Sequence, residues 1–382
     1  MGRFVNPDAG AFRTAINFDM YVDKTAMINE LNNRLDFSSV FVCVSRPRRF
    51  GRSTIANMLT AYYSKGATGS AQLFQSFYVS GCPKYKVYLN DFNVIHIDIL
   101  WMILRSAQHT DSLHEMVEDI ITELREEYPF IPAKNDMCLS EILALVYRET
   151  GKKFAVIIDE WDIVIRDYEY EIDLQKDYLD FLSDLFSNSN IEEYIALAYL
   201  TGIYPISQTK AADRLARFVD SSVFAAGEFA PYVGFIKKDV EILCDKFNGN
   251  IDEIEKWYGG YHWGNEQIFN PSAVVKALRN KFLSSYWSQT CSDGVVTDLL
   301  NDNVDGARKA FEDLIEGRVI PVEFTEKSDF TSRMQSVNDV LLYMVMLGYL
   351  SYDSNARVVA IPNEDVRQCF CGAVAYRKAI KK

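Results

Sequence analysis

The sequence predicts an α/β protein, with a mainly parallel sheet flanked by helices and a mainly helical C-terminal region ending in a winged-helix-like unit. Three observations carry this expectation. Apolar runs at 40–44, 94–99, 154–158 and 195–200 are short and nearly continuous, as in strands buried on both faces. Between them, apolar residues recur at helical spacing: Ile55, Met58, Leu59 and Tyr62, then Leu113, Met116, Val117, Ile120, Ile121 and Leu124, then Leu174, Tyr178, Phe181, Leu182, Leu185 and Phe186. From Phe229 onward helical patterns dominate, which divides the chain into parts at 1–228, 229–300 and 301–382.

The bulk numbers restrict the functional classes. A chain of 382 residues, 48% hydrophobic and 24% charged, has the make-up of a soluble globular protein of more than one domain. A net charge of −13 argues against a broad nucleic-acid-binding face. No apolar run approaches the length of a membrane span, and the first residues hold no apolar leader, so a cytoplasmic protein is expected. Seven scattered cysteines fit reduced thiols. The one close pair, Cys369 and Cys371, lacks the second pair or histidines that a zinc site needs.

The first strand runs into SRPRRFGRST at 45–54 and then into a helix. A strand, a loop ending in Gly-basic-Ser and a helix have the layout of a phosphate-binding loop. Gly51 and Ser53 fit that pattern, Arg46 stands where the first glycine belongs, and Arg52 replaces the lysine. A solvated basic turn is the competing reading of the same residues.

The second signal is the run at 154–158, which leads into Asp159 and Glu160. An aspartate at the end of a buried strand suits Mg²⁺, and the following glutamate suits the attacking water. The separation from Ser53 leaves room for two further strand–helix units. The run at 195–200 delivers Thr201 and Gly202, which suit either turn chemistry or a hydroxyl that meets the γ-phosphate. Residues 222–226 are expected to form the last strand of the sheet.

Other residues have plainer readings. Asp23 and Lys24 suit a helix start and a surface ion pair, Asp98 a strand exit or a site at the sheet's carboxyl edge, and His109 and His114 a solvent-facing connection. The run at 257–264, rich in aromatics and glycines, suits a packed turn or a base-stacking platform. Ser336 and Asp339 form a capping box for an apolar helix, and a hairpin follows it.

These segments resemble the bacterial AAA-ATPase-like family of P-loop ATPases, distant relatives of AAA and STAND proteins. The likeness runs through YVDKTAMI at 21–28, SRPRRFGRST at 45–54, VIIDEWD at 156–162, ALAYLTGIYPI at 196–206, GFIKKDVEILC at 234–244 and WYGGYHWGNEQIFNPSAVV at 257–275. It implies that ATP is bound by Arg46, Pro47, Arg48, Arg49, Phe50, Gly51, Arg52, Ser53 and Thr54. It also implies Mg²⁺ on Ser53 and Asp159, with Glu160 and Thr201 in catalytic roles. The family usually has lysine where this chain has Arg52, so hydrolysis is expected to be slowed or lost. Many members carry a nuclease-like C-terminal domain, and the end at Lys382 leads us to expect none here.

Three classes follow from the sequence. One is an ATPase that moves its helical region. Another is a non-hydrolysing nucleotide-binding scaffold or switch acting through a protein partner or a second copy of itself. The third is a nucleic-acid effector served by a nuclease in trans, which the acidic balance disfavours.

Overall fold

The computed structural model describes residues 2–105, 109–133, 137–287, 294–325, 329–331 and 333–380. Five strands, β1 (Val40–Ser45), β2 (Asn93–Asp98), β3 (Phe154–Asp159), β4 (Ile195–Gly202) and β5 (Val219–Ser221), form one sheet in the order β2-β3-β4-β1-β5. The pairs β1–β4, β3–β4 and β2–β3 are all parallel. Every residue of β1, β3 and β4 is buried, as their unbroken apolar runs require.

Register aligns the carboxyl ends. Val44 pairs with Thr201, Thr201 with Asp159, and Asp159 with Asp98. Strand β4 therefore lies between the strand that precedes the arginine-rich loop and the strand that ends in Asp159. One row across the sheet carries the hydroxyl and both acids.

The chain's start closes the β2 edge. Val5 bridges Ile95 in antiparallel sense, Asn6 N–H donates to the Val94 carbonyl at 2.8 Å, and His96 N–H donates to the Phe4 carbonyl at 2.9 Å. This pairing satisfies polar groups that an edge strand otherwise leaves open. One carboxylate holds the segment in place: Glu123 accepts from the amides of Arg3, Phe4 and Val5 at 2.8–2.9 Å.

The expected last strand is shifted. The edge strand is Val219–Ser221, and residues 222–226 form a turn instead. The Ser222 hydroxyl accepts from the amides of Phe224 and Ala225 at 3.2 and 3.3 Å, and Ser222 N–H donates to the Ala225 carbonyl at 3.1 Å. Its local hydrogen bonding outcompetes the ladder.

Contacts divide the molecule into two compact units. One holds residues up to Ser45 together with Arg52–Asp220; the other holds Arg46–Gly51 together with the chain from Ser221 onward. The first unit contains the main core: helices Arg52–Tyr63, His109–Glu127, Leu139–Thr150 and Ile172–Phe186 bury their apolar faces around the sheet.

The second unit is mainly helical with two small sheets. Phe235–Ile236, Glu266–Phe269 and Tyr261–Trp263 form an antiparallel group, with Tyr261 and Trp263 buried. The aromatic, glycine-rich run is thus a packed hairpin: a Cβ on Gly260 would lie 1.9 Å from the Pro362 carbonyl oxygen. Toward the end, helix Val337–Leu347 starts at the expected capping box, with Ser336 Oγ accepting from Asp339 N–H at 3.1 Å. The hairpin Ser351–Asp353 and Val358–Ala360 follows, joined by Ile320–Pro321 as a third strand.

Among the described residues, no helix is long and apolar enough to cross a membrane. Cys43, Cys82, Cys138, Cys244 and Cys371 are free thiols, and Cys291 lies outside the described residues. Cys43 and Cys244 are core thiols, whereas Cys138 is exposed.

Candidate active site

The site is built where β1, β3 and β4 end. Helix Arg52–Tyr63 opens directly after the loop, so Arg52, Ser53 and Thr54 occupy its first turn. The first-turn amides of a helix lack intrahelical acceptors and favour an anion. Gly51, just before them, has φ of +91°, a conformation natural to glycine.

Asp159 ends β3 almost fully buried, with Ser53 hydrogen-bonded to its carboxylate. Burial pushes this carboxyl up to about 6; Arg52 and the Ser53 hydrogen bond pull against it, and Glu160 and Asp98 add like-charge repulsion. Glu160 follows in a left-handed conformation, φ +53°, with its amide donating to Asp159 Oδ1 at 3.0 Å. That conformation costs a non-glycine residue about 1–2 kcal/mol, and such strain tends to collect at working sites.

Arg52 turns toward this acid. Its Nη2 donates to Glu160 Oε1 at 2.5 Å, with the Arg52 side chain 4% and the Glu160 side chain 16% exposed. The pairing is incomplete, since Arg52 Nη1 and Glu160 Oε2 are both buried without a hydrogen bond among the described residues. Arg166 Nη2 stands 3.9 Å from that Glu160 Oε2.

Asp162 and Arg166 are functional candidates that sequence reasoning did not single out. Asp162 is fully buried, and its Oδ2 accepts the amides of Ile203 and Tyr204 at 3.2 and 2.9 Å and also pairs with Arg166. Arg166 Nε donates to Asp167 Oδ1 at 2.7 Å. Burial works against the Arg166 charge, but Asp162, Asp167 and Glu160 outweigh it and hold the group above its ordinary value. The signal was an acid and an arginine four residues apart, enclosing the apolar Ile163, Val164 and Ile165.

Thr201 is buried, and its hydroxyl donates to the Val44 carbonyl at 3.0 Å, stitching β4 to β1. Gly202 is demanded by crowding, because a Cβ there would lie 2.3 Å from Asp162 Oδ1 and 2.7 Å from Trp161 Cδ1. Asp98 Oδ1 accepts from Trp101 N–H at 3.0 Å and caps helix Ile99–Ile103. His109 pairs with Glu171 at 2.8 Å. Asp23 Oδ1 accepts from Thr25 N–H and its Oδ2 from Tyr78 N–H, a local brace away from β3.

The remaining loop residues are described within the second unit. Arg46 is fully buried; Nη1 donates to the Ser221 carbonyl at 2.6 Å, Nη2 donates to the Ser221 hydroxyl at 3.1 Å, and the guanidinium lies 4.7 Å from the centre of the Trp263 ring. Phe50 is buried against Tyr261 and Trp263, with both ring centres at 5.1 Å, and its carbonyl accepts from Gly234 N–H at 2.7 Å. Pro47 packs where Gly348 leaves room, and Arg49 takes φ of +72°. Arg48, one residue earlier, is exposed.

A family described as "Predicted AAA-ATPase" matches residues 11–211. An uncharacterized protein from the vnfD 5' region of Azotobacter chroococcum mcd 1 is 24% identical over 91% of this chain. The chain spans 63% of that relative's length. Among solved structures, Cdc6p of Pyrobaculum aerophilum is similar over 98% of this chain and 99% of its own, at 13% identity and a TM-score of 0.34. The ORC2 protein of Aeropyrum pernix, solved as ADPNP-ADP complexes, is similar over 97% and 99%, at 11% identity and a TM-score of 0.39.

Proposed function

The chain belongs to the family described as Predicted AAA-ATPase, and from that premise we propose that it binds Mg-ATP and hydrolyses it to ADP and phosphate, driving a conformational change. The observation that carries this reading is the Ser53 hydrogen bond to the Asp159 carboxylate, which joins the start of helix Arg52–Tyr63 to the end of β3.

Among the described residues no group of three or more His, Cys, Asp or Glu side chains is arranged to hold a metal. Two ligands, the Ser53 hydroxyl and the Asp159 carboxylate, suit Mg²⁺ carried in by phosphates, since that ion keeps most of its shell as water and phosphate oxygen. The orphaned Arg52 Nη1 offers a buried donor for a phosphate oxygen. Bound there, the ion would neutralise charge on the phosphates. The first-turn amides with Arg52, Ser53 and Thr54 bind and orient them, Arg46–Gly51 leads into that turn through Arg49 and Gly51, and Glu160 takes the proton of the attacking water. Thr201, through the Val44 carbonyl, fixes β4 beside this end of the sheet.

Arg52 modifies the rate. Its planar fork is bulkier than an ammonium and does not place one point charge in the same way, so hydrolysis is slow. Calorimetry with Mg-ATP on the wild type and on Gly51→Asp tests binding: a wild-type isotherm lost in the variant is expected, and flat titrations for both end the proposal. Phosphate release should rise in Arg52→Lys; no rise with Glu160 intact refutes the account of the rate.

The second reading is a non-hydrolysing cytoplasmic switch that works through a protein partner or a second copy. The Arg52–Glu160 pair favours it, because a carboxylate held by a guanidinium is a poor base. Tight Mg-ATP binding with no phosphate release in either the wild type or Arg52→Lys selects this reading.

A further inference from the structure

We propose that the Arg52–Glu160 ion pair is an autoinhibitory latch, in which Glu160 occupies the guanidinium that a nucleotide's phosphates must take. The inference rests on the nucleotide-binding reading above and adds how that site is regulated.

Two features of the pair point to exchange rather than to permanent scaffolding. Arg52 and Glu160 meet through one donor and one acceptor, Nη2 and Oε1 at 2.5 Å. Each keeps a second polar atom, Nη1 and Oε2, buried without a hydrogen bond among the described residues. A guanidinium fork satisfied at one prong gains when it meets an oxyanion with several acceptors. Phosphate is such a group, and it is matched by the first-turn amides beside Arg52.

The carboxylate also has somewhere to go. Arg166 Nη2 already forms a long ion pair with Glu160 Oε2, at 3.9 Å, and is held in place by Asp162 and Asp167. When phosphate takes Arg52, Glu160 stays opposite a fixed cation rather than being left as an isolated buried charge, which would be costly. One event thus fills the phosphate site and frees the base, so a Glu160 carboxylate is available only when nucleotide is present.

The test uses ADP, which cannot be turned over, so that tighter binding is not confused with trapped substrate. Calorimetry compares Mg-ADP and adenosine on the full chain for the wild type, Glu160→Gln and Glu160→Ala. Removing the competing charge should tighten Mg-ADP about tenfold, the loss of one charge-assisted hydrogen bond from the competition, and leave adenosine unchanged. In Arg52→Ala/Glu160→Gln that gain should vanish. Mg-ADP binding that is equal or weaker in folded Glu160→Gln and Glu160→Ala overturns the latch while leaving nucleotide binding intact. Flat Mg-ADP titrations in the wild type and in both variants overturn the nucleotide site itself, and the latch with it.

Discussion

Asp162 accepts the backbone amide of Tyr204 at 2.9 Å, so the residue two positions beyond Glu160 pins the chain that leaves β4. The same carboxylate takes Ile203 N–H and holds Arg166, which faces Glu160. One fully buried acid therefore fixes both the β4 exit and the cation behind the proposed base.

Replacing Asp162 should be among the most damaging single changes in the sheet unit. Asp162→Ala leaves two buried amides and a buried guanidinium short of their acceptor, a loss of about 3–5 kcal/mol by analogy with broken buried pairs. Asp162→Asn keeps an amide acceptor and should recover part of it. Chemical denaturation followed by tryptophan fluorescence gives the ranking, and equal stability of Asp162→Ala and the wild type contradicts it.

Gly202 should not tolerate a methyl group. The Cβ of Gly202→Ala would fall 2.3 Å from Asp162 Oδ1, so the acid or Trp161 must move. Overpacking of this kind costs about 1–3 kcal/mol. A lowered melting temperature is expected, and an unchanged one means that the Asp162 brace is looser than drawn.

Asp159 gives stability a pH signature. Its folded-state carboxyl sits at about 6, above the ordinary 3.8, so the folded protein keeps a proton that the unfolded chain has released. The group's contribution is fully present below pH 3.8 and lost as pH rises through 6, an order of about 2–3 kcal/mol. Asp159→Asn without nucleotide should therefore be more stable than the wild type at pH 7.5. The difference should close on acidification toward pH 4, and a gap independent of pH rules this explanation out.

Glu123 should control the β2 edge. Its carboxylate receives three successive amides, those of Arg3, Phe4 and Val5. Glu123→Ala should cost about 1–3 kcal/mol and speed amide exchange at His96, whose N–H bonds the Phe4 carbonyl. Unchanged exchange at His96 shows that the edge holds without this carboxylate.

The four long strands were legible because burial on both faces leaves a continuous apolar run that little else produces. The expected 40–44 became Val40–Ser45 and the expected 154–158 became Phe154–Asp159. At 94–99 the last residue instead starts a helix, since Asp98 caps it. Short pairings were not legible: Phe235–Ile236 and Ile320–Pro321 are too brief for alternation to register, and the Val5–Ile95 bridge lies in a segment whose amides bond Glu123, far away in sequence.

At the site, residue types were legible and directions were not. Ser53, Asp159 and Glu160 could be placed at strand and helix ends, but nothing local told that Arg52 turns to Glu160. Nor did it tell that the Thr201 hydroxyl meets Val44 or that Arg46 is buried on Ser221. Each depends on a partner more than a hundred residues distant in the chain.

The excursion of Arg46–Gly51 bears on how this protein can be divided. The chain enters the second unit for six residues, returns to the first, and re-enters at Ser221. A fragment that stops before Ser221 keeps Arg46 but loses the carbonyl and hydroxyl that hold it, and leaves Phe50 without Tyr261 and Trp263. Because of this threading, a single cut at Asp220 does not separate the two units: it leaves six residues of the second on the fragment that carries the first.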